Sequence, residues 1–110
     1  MADPRIRQLV IKTGVIKRLT KEKTVYEKEV NIEIARLNKF KTDGADDHVL
    51  RKQQEVIQEC QMMIPDSKRR LEKELEVLQK YLDDEQDLKD SETYTKALEV
   101  LTEAKSVLEA

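Results

Sequence analysis

The sequence predicts an all-α protein, an elongated antiparallel three-helix bundle with a long second helix kinked at Pro65 and a short third helix. Three observations predict it. Charged residues fill 40% of the 110 positions and aromatics 4%, with two glycines and two prolines, a profile that suits long helices and leaves little for turns. Apolar residues recur in heptads along three segments, about 4–42, 47–87 and 91–109. The connections between the segments are short, which favours antiparallel neighbours. Length points to a single domain. High charge and low hydropathy also fit disorder, but the apolar residues here are periodic, not missing.

The first helix begins at Asp3-Pro4, with Asp3 placed to cap and Pro4 at the first helical position. With Leu9 at heptad position a, the a and d positions collect Leu9, Ile16, Leu19, Tyr26, Val30, Leu37 and Phe40. Lys12, Lys23 and Glu33 interrupt the series. Gly44 in "KTDGADD" is the stop signal, and Asp46 or Asp47 caps the next helix. Gly14 lies inside the first helix, where glycine costs about 1 kcal/mol against alanine.

In the second helix Leu50, Ile57, Ile64, Leu71 and Leu78 form the a column. A proline in a helix interior removes a donor and clashes with the carbonyl one turn back, at about 3 kcal/mol. Yet Ile64 and Leu71 stay seven residues apart across Pro65, so the register predicts a kink and not a stop. Before Pro65 the second apolar column is g (Val49, Val56, Met63), and after it mainly e (Leu75, Leu82), although Val77 remains at g. A buried face that turns at this point predicts a new neighbour there.

That neighbour is the third helix, capped by Asp90 or Ser91, with Tyr94, Ala97, Leu101, Ala104 and Leu108 at a and d. Leu98, Val100 and Val107 widen its apolar face enough to pack on two partners. At about 1.5 Å per residue the first two helices are roughly 55–60 Å long and the third roughly 28 Å. The third helix therefore covers only the end of the second and the start of the first.

Chemistry-bearing motifs are scarce. His48 stands beside the loop and Cys60 is the sole cysteine, too few ligands for a closed zinc site. "TDGADD" lacks the ligand spacing of an EF-hand, and "YLDDEQD" reads as a solvated acidic surface. No nucleophile motif or phosphate-binding glycine loop is present. The sequence predicts no catalytic residue, no cofactor and no metal.

Charge is uneven. Residues 1–42 carry 11 Lys/Arg against 5 Asp/Glu, and residues 83–110 carry 3 against 9. A basic segment suits nucleic acid, but an acidic partner helix in the same chain suits it as well, and base-stacking aromatics are missing from "KTGVIKRLTKEK". On the outward c column of the first helix, Ile11, Val25 and Ile32 accompany Arg18 and Lys39, Ile34 sits at e, and Met62 falls at f of the second helix. Single exposed apolar residues are ordinary; a repeated column also reads as a docking stripe. By residues alone the reading is a helical interaction module.

"MADPR", "IKTGVIKRL" (11–19), "KEK" (21–23), "YEKE" (26–29) and above all "MMIPDSKRRLE" (62–72) resemble the tubulin-binding cofactor A family, the tubulin-specific chaperone A proteins. Length and three-helix periodicity agree along the whole chain, whereas residues 30–60 and the last helix match by pattern more than by letter. The resemblance implies a cytoplasmic, cytoskeleton-associated chaperone that captures β-tubulin folding intermediates after chaperonin release. It holds them for assembly into αβ-tubulin and meets other tubulin-folding cofactors indirectly. It implies no enzymatic activity, nucleotide or metal, and its fold is an elongated three-helix bundle. The candidate partner-binding residues are Ile11, Lys12, Arg18, Val25, Ile32, Met62 and Met63. The rival readings are a coiled-coil or spectrin-like adaptor, and a small basic nucleic-acid binder.

Cys60 alone excludes an intrachain disulfide and fits a reducing compartment. The start "MADPRIRQ" lacks a signal-peptide h-region, Ala2 excludes myristoylation, and no run of about 18 apolar residues exists. A cytosolic protein with no membrane partner, closing on itself as a monomer, is expected.

Overall fold

Helix boundaries follow the capping residues. In the computed structural model, which describes residues 3–109, α1 spans Pro4–Thr42, α2 Asp47–Asp84 and α3 Glu92–Glu109. Asp3 caps α1: its carboxylate accepts from the Arg5 amide at 2.9 Å. Asp46, not Asp47, caps α2 by accepting from the Val49 amide at 3.0 Å, and Ser91, not Asp90, caps α3 by accepting from the Tyr94 amide at 3.1 Å. Gly44 ends α1 in the left-handed region at φ 76°, the conformation a side chain resists. There the Ala45 amide donates to the Phe40 carbonyl and the Gly44 amide to the Lys41 carbonyl, which satisfies the last turn by a Schellman motif.

α2 passes through Pro65 without ending. Proline has no N–H, so the carbonyl of Gln61 loses its intrahelical donor. Gln61 is exposed, so its carbonyl is open to solvent, which lowers the cost of the missing donor. The helix ends at Asp84 and not at 87; Gln86–Leu88 instead form a 3-10 turn that buries Leu88. Leu88 joins the core cluster, so the apolar side chain draws the turn onto the three-helix unit.

By its internal packing the chain divides into two compact units, Met1–Lys21 with Lys68–Ala110, and Glu22–Ser67. The first is a three-helix unit. Its core joins Leu9 and Ile16 of α1, Leu71, Leu75, Leu78 and Leu82 of α2, Leu88, and Tyr94, Ala97, Leu101 and Ala104 of α3. The e column of α2 after Pro65 is absorbed here, as is most of the α3 face; Leu98, expected to widen that face, is instead exposed, because it lies on the side of α3 that meets neither α1 nor α2. Buried Tyr94 donates its hydroxyl to the Leu82 carbonyl at 2.9 Å, so the polar end of its ring is satisfied.

The second unit holds segments of α1 and α2 alone. Val30, Leu37 and Ile57 are buried in it, together with the polar Lys23, Gln53 and Ser67. The g column of α2 is a correction: Val49, Val56 and Met63 are exposed, not part of the buried face. Two packed helices cover only a and d, and the flanking column is covered only where a third helix lies against it.

Two substitutions test local features of this packing. A methyl group placed on Gly14 meets no atom within 4 Å. Gly14→Ala is therefore expected to raise unfolding free energy by about 0.5–1 kcal/mol through helix propensity and unfolded-state entropy, read as a higher Tm with an unchanged circular dichroism spectrum. Ser67 is fully buried and, among the described residues, its hydroxyl has no hydrogen-bond partner. Ser67→Ala removes that unpaired group and is expected to stabilise by about 1 kcal/mol, measured by urea denaturation.

Candidate interaction surface

The three residues that interrupt the α1 seam are each engaged. Lys12 holds its ammonium over the Tyr81 ring, 5.4 Å from the centroid. Tyr81 in turn donates to the Arg5 carbonyl at 2.9 Å. Burial, with Glu85 nearby, pushes the Tyr81 hydroxyl above its ordinary pKa, so it stays a donor. Lys23, buried at an a position, pairs with Glu27 one turn on. Glu33 is the hub of the two-helix unit. The Gln53 side chain donates to its carbonyl at 2.8 Å and to its carboxylate at 2.7 Å, while Arg36 pairs with the same carboxylate. A polar contact across a seam costs stability but fixes register, since any slip leaves Gln53 buried without partners.

The acidic "YLDDEQD" is not merely solvated. Arg5 pairs with Asp3, Glu85 and Asp87 at 2.7, 2.8 and 2.7 Å. α2 has no basic residue in its last turn, so Arg5 supplies from α1 the cation that a helix C-terminus favours. These side chains are between 28% and 62% exposed, and the cluster ties the start of α1 to the end of α2.

Little else points to chemistry. Cys60 is partly buried, and burial, reinforced by Glu33, Glu29 and Glu59, raises its pKa. That suppresses the reactive thiolate. Among the described residues no three His, Cys, Asp or Glu side chains converge as a metal site, and no helix is long and apolar enough to cross a membrane.

The outward side chains remain. Ile11 is 49% exposed, Val25 38% and Ile32 55%, all on the c column of α1, and Met62 and Met63 reach 74% and 44% on α2. Arg18 is exposed as well. Val25, Ile32, Met62 and Met63 belong to the two-helix unit, whereas Ile11, Lys12 and Arg18 belong to the three-helix unit. Lys12 differs from the others, because its ammonium already has an aromatic partner within the chain. Reasoning from the sequence missed a shallow groove in the two-helix unit where Phe40 meets Val49 and Val56, edged by His48, Lys52 and Glu59. The signal was present: an apolar g column along a stretch that no third helix reaches.

Fold and surface together define a class of protein, an all-α helical bundle whose unspent apolar and charged groups lie on helix faces. The model of the family "Tubulin binding cofactor A" matches residues 4–101, and the chain belongs to that family. It is 56% identical over 72 residues to tubulin-specific chaperone A of Gallus gallus, a stretch covering 66% of this chain and 67% of that one. To the Homo sapiens protein of the same name it is 51% identical over 72 residues, with the same coverage. Among solved structures, tubulin folding cofactor A from Arabidopsis thaliana superposes with a TM-score of 0.88 at 36% identity, covering 94% of this chain and 97% of that chain. Human tubulin chaperone cofactor A gives 0.80 at 43%, covering 93% and 99%.

Proposed function

We propose that the protein is a tubulin-folding cofactor that captures β-tubulin folding intermediates after chaperonin release and holds them for assembly into αβ-tubulin. The observation that carries this reading is the family match across 4–101, and the names of the relatives speak of tubulin. The surface supports it in kind. A holding chaperone needs area that binds reversibly, and half-exposed Ile11, Val25 and Ile32 beside cations supply dispersed apolar contact without one deep pocket. The excess of cations on α1 favours encounter with an acidic client. The same reading places the protein in the cytoplasm, without a catalytic step or cofactor, as a monomer that meets other tubulin-folding cofactors through the shared client.

Pull-down with purified β-tubulin, and α-tubulin as control, tests it. Selective retention of β-tubulin is expected; equal retention of both, or of neither, would remove the β-tubulin assignment. The adaptor reading makes a different forecast. It requires a stable dimer in sedimentation velocity, where the folding-cofactor reading expects the mass of one chain.

A further inference from the structure

A groove of about 320 Å³ runs between α1 and α3 in the three-helix unit, lined by Val10, Thr13, Gly14 and Lys17 on one side and Thr93 and Lys96 on the other. Its space comes from Gly14, above which a methyl group would meet nothing within 4 Å. That volume is at the lower end for ligand sites, large enough for a side chain and too small for a nucleotide. Two lysines stand at it. Lys17 forms no ion pair among the described residues, and Lys96 is paired only with the highly exposed Glu92 at 3.3 Å. Thr13 donates to the Leu9 carbonyl, which leaves Thr93, in the first turn of α3, as the other hydroxyl lining the groove. The positive end of the 18-residue α3 lies at the same place. Acidic groups are scarce nearby on α1. Between residues 3 and 21 there are six cations and one carboxylate, Asp3; Arg5 is taken up by Asp3, Glu85 and Asp87 and Lys12 lies over Tyr81, which leaves Arg7, Lys17, Arg18 and Lys21.

We propose that this groove binds an acidic peptide segment, one carboxylate side chain seated over Gly14 between Lys17 and Lys96 with its methylenes against Val10. Val10 is 55% exposed and supplies the apolar wall that a glutamate stem covers and a bare inorganic anion does not. The flanking cations of α1 attract further acidic residues of the same segment, which sets a run of carboxylates above a single one. The groove lies beside the outward α1 column and shares the flanking Arg18 with it, but it does not depend on the tubulin assignment, because it is tested with peptide alone.

The experiment is fluorescence anisotropy of a labelled ten-residue glutamate peptide against the full chain at low ionic strength. Saturable binding is expected, weakened about tenfold by Lys17→Gln with Lys96→Gln, the loss of two exposed charge contacts. Gly14→Met should weaken it comparably by filling the groove without changing charge. Lys80→Gln with Lys105→Gln removes the same charge elsewhere and should leave affinity within about twofold. Circular dichroism checks that each variant keeps its helicity; if Gly14→Met does not, the two lysine pairs decide alone. Absence of saturable binding, or an equal loss in both lysine pairs, overturns the site in favour of a diffuse basic field. Displacement of the peptide by an equal concentration of inorganic phosphate overturns it in favour of a simple anion site.

Discussion

Leu78→Ala is expected to lower the unfolding free energy by about 2–5 kcal/mol, a fall in Tm of about 10–25 °C for a chain of this size. Leu78 is completely buried and lies in the cluster to which α1, α2 and α3 all contribute. Removing its branched end leaves a cavity whose walls come from three helices, so no single element can collapse into it. Ile57→Ala provides the comparison. Ile57 is also buried, at 8% exposure, but in the unit built from α1 and α2 alone, where solvent lies close on either side of the seam. There the cost should fall near 2 kcal/mol and appear first as faster amide hydrogen exchange within residues 22–67, with exchange elsewhere little changed. Two of the buried polar groups of that unit, Lys23 and Gln53, point the same way, since they fix register more than they stabilise. Equal Tm losses for the two variants would show that the two units unfold as one and that the three-helix core holds no special share of stability.

The burial pattern explains which parts of this fold were legible beforehand. On α1 the a positions Leu9, Ile16, Val30 and Leu37 are buried, while the d positions Leu19, Tyr26 and Phe40 are half-buried. Heptad spacing encodes this directly, because it fixes which side chains share a face. Continuity of α2 across Pro65 was legible for the same reason. The number of helices around a given turn is not a local property, and there the reading failed. Val49 and Val56 look like Leu75 and Leu82 in chemistry, but only the latter pair meets α3. Contacts set by register between helices were hidden too. Neither Lys12 over Tyr81 nor Arg5 against Glu85 and Asp87 follows from spacing along one helix. In the candidate site, outward Ile11, Val25 and Ile32 were legible because c lies opposite the seam, whereas the groove at Phe40 required two elements at once.

Under the proposed function, combined replacement of Ile11, Val25 and Ile32 by serine is expected to weaken β-tubulin capture by about 30-fold or more while helicity is kept. Serine, isoleucine and valine have similar helix propensities, and all three positions are already between 38% and 55% exposed, so little core is lost. Full burial of such a side chain contributes about 1.5–3 kcal/mol. Covering only the exposed part of each yields roughly 2–3 kcal/mol in sum, which converts to about 30- to 150-fold in affinity. A second triple, Val49→Ser, Val77→Ser and Leu98→Ser, removes apolar groups of similar exposure, 36%, 39% and 41%, from outside the α1 column. If both triples reduce capture equally, the client recognises general apolar exposure and the α1 column has no special part. If the first triple loses its helical signal, those side chains hold the fold together and were wrongly placed on the surface. Unchanged capture by a folded first triple would move the client contact elsewhere, with Met62 and Met63 the next residues to replace.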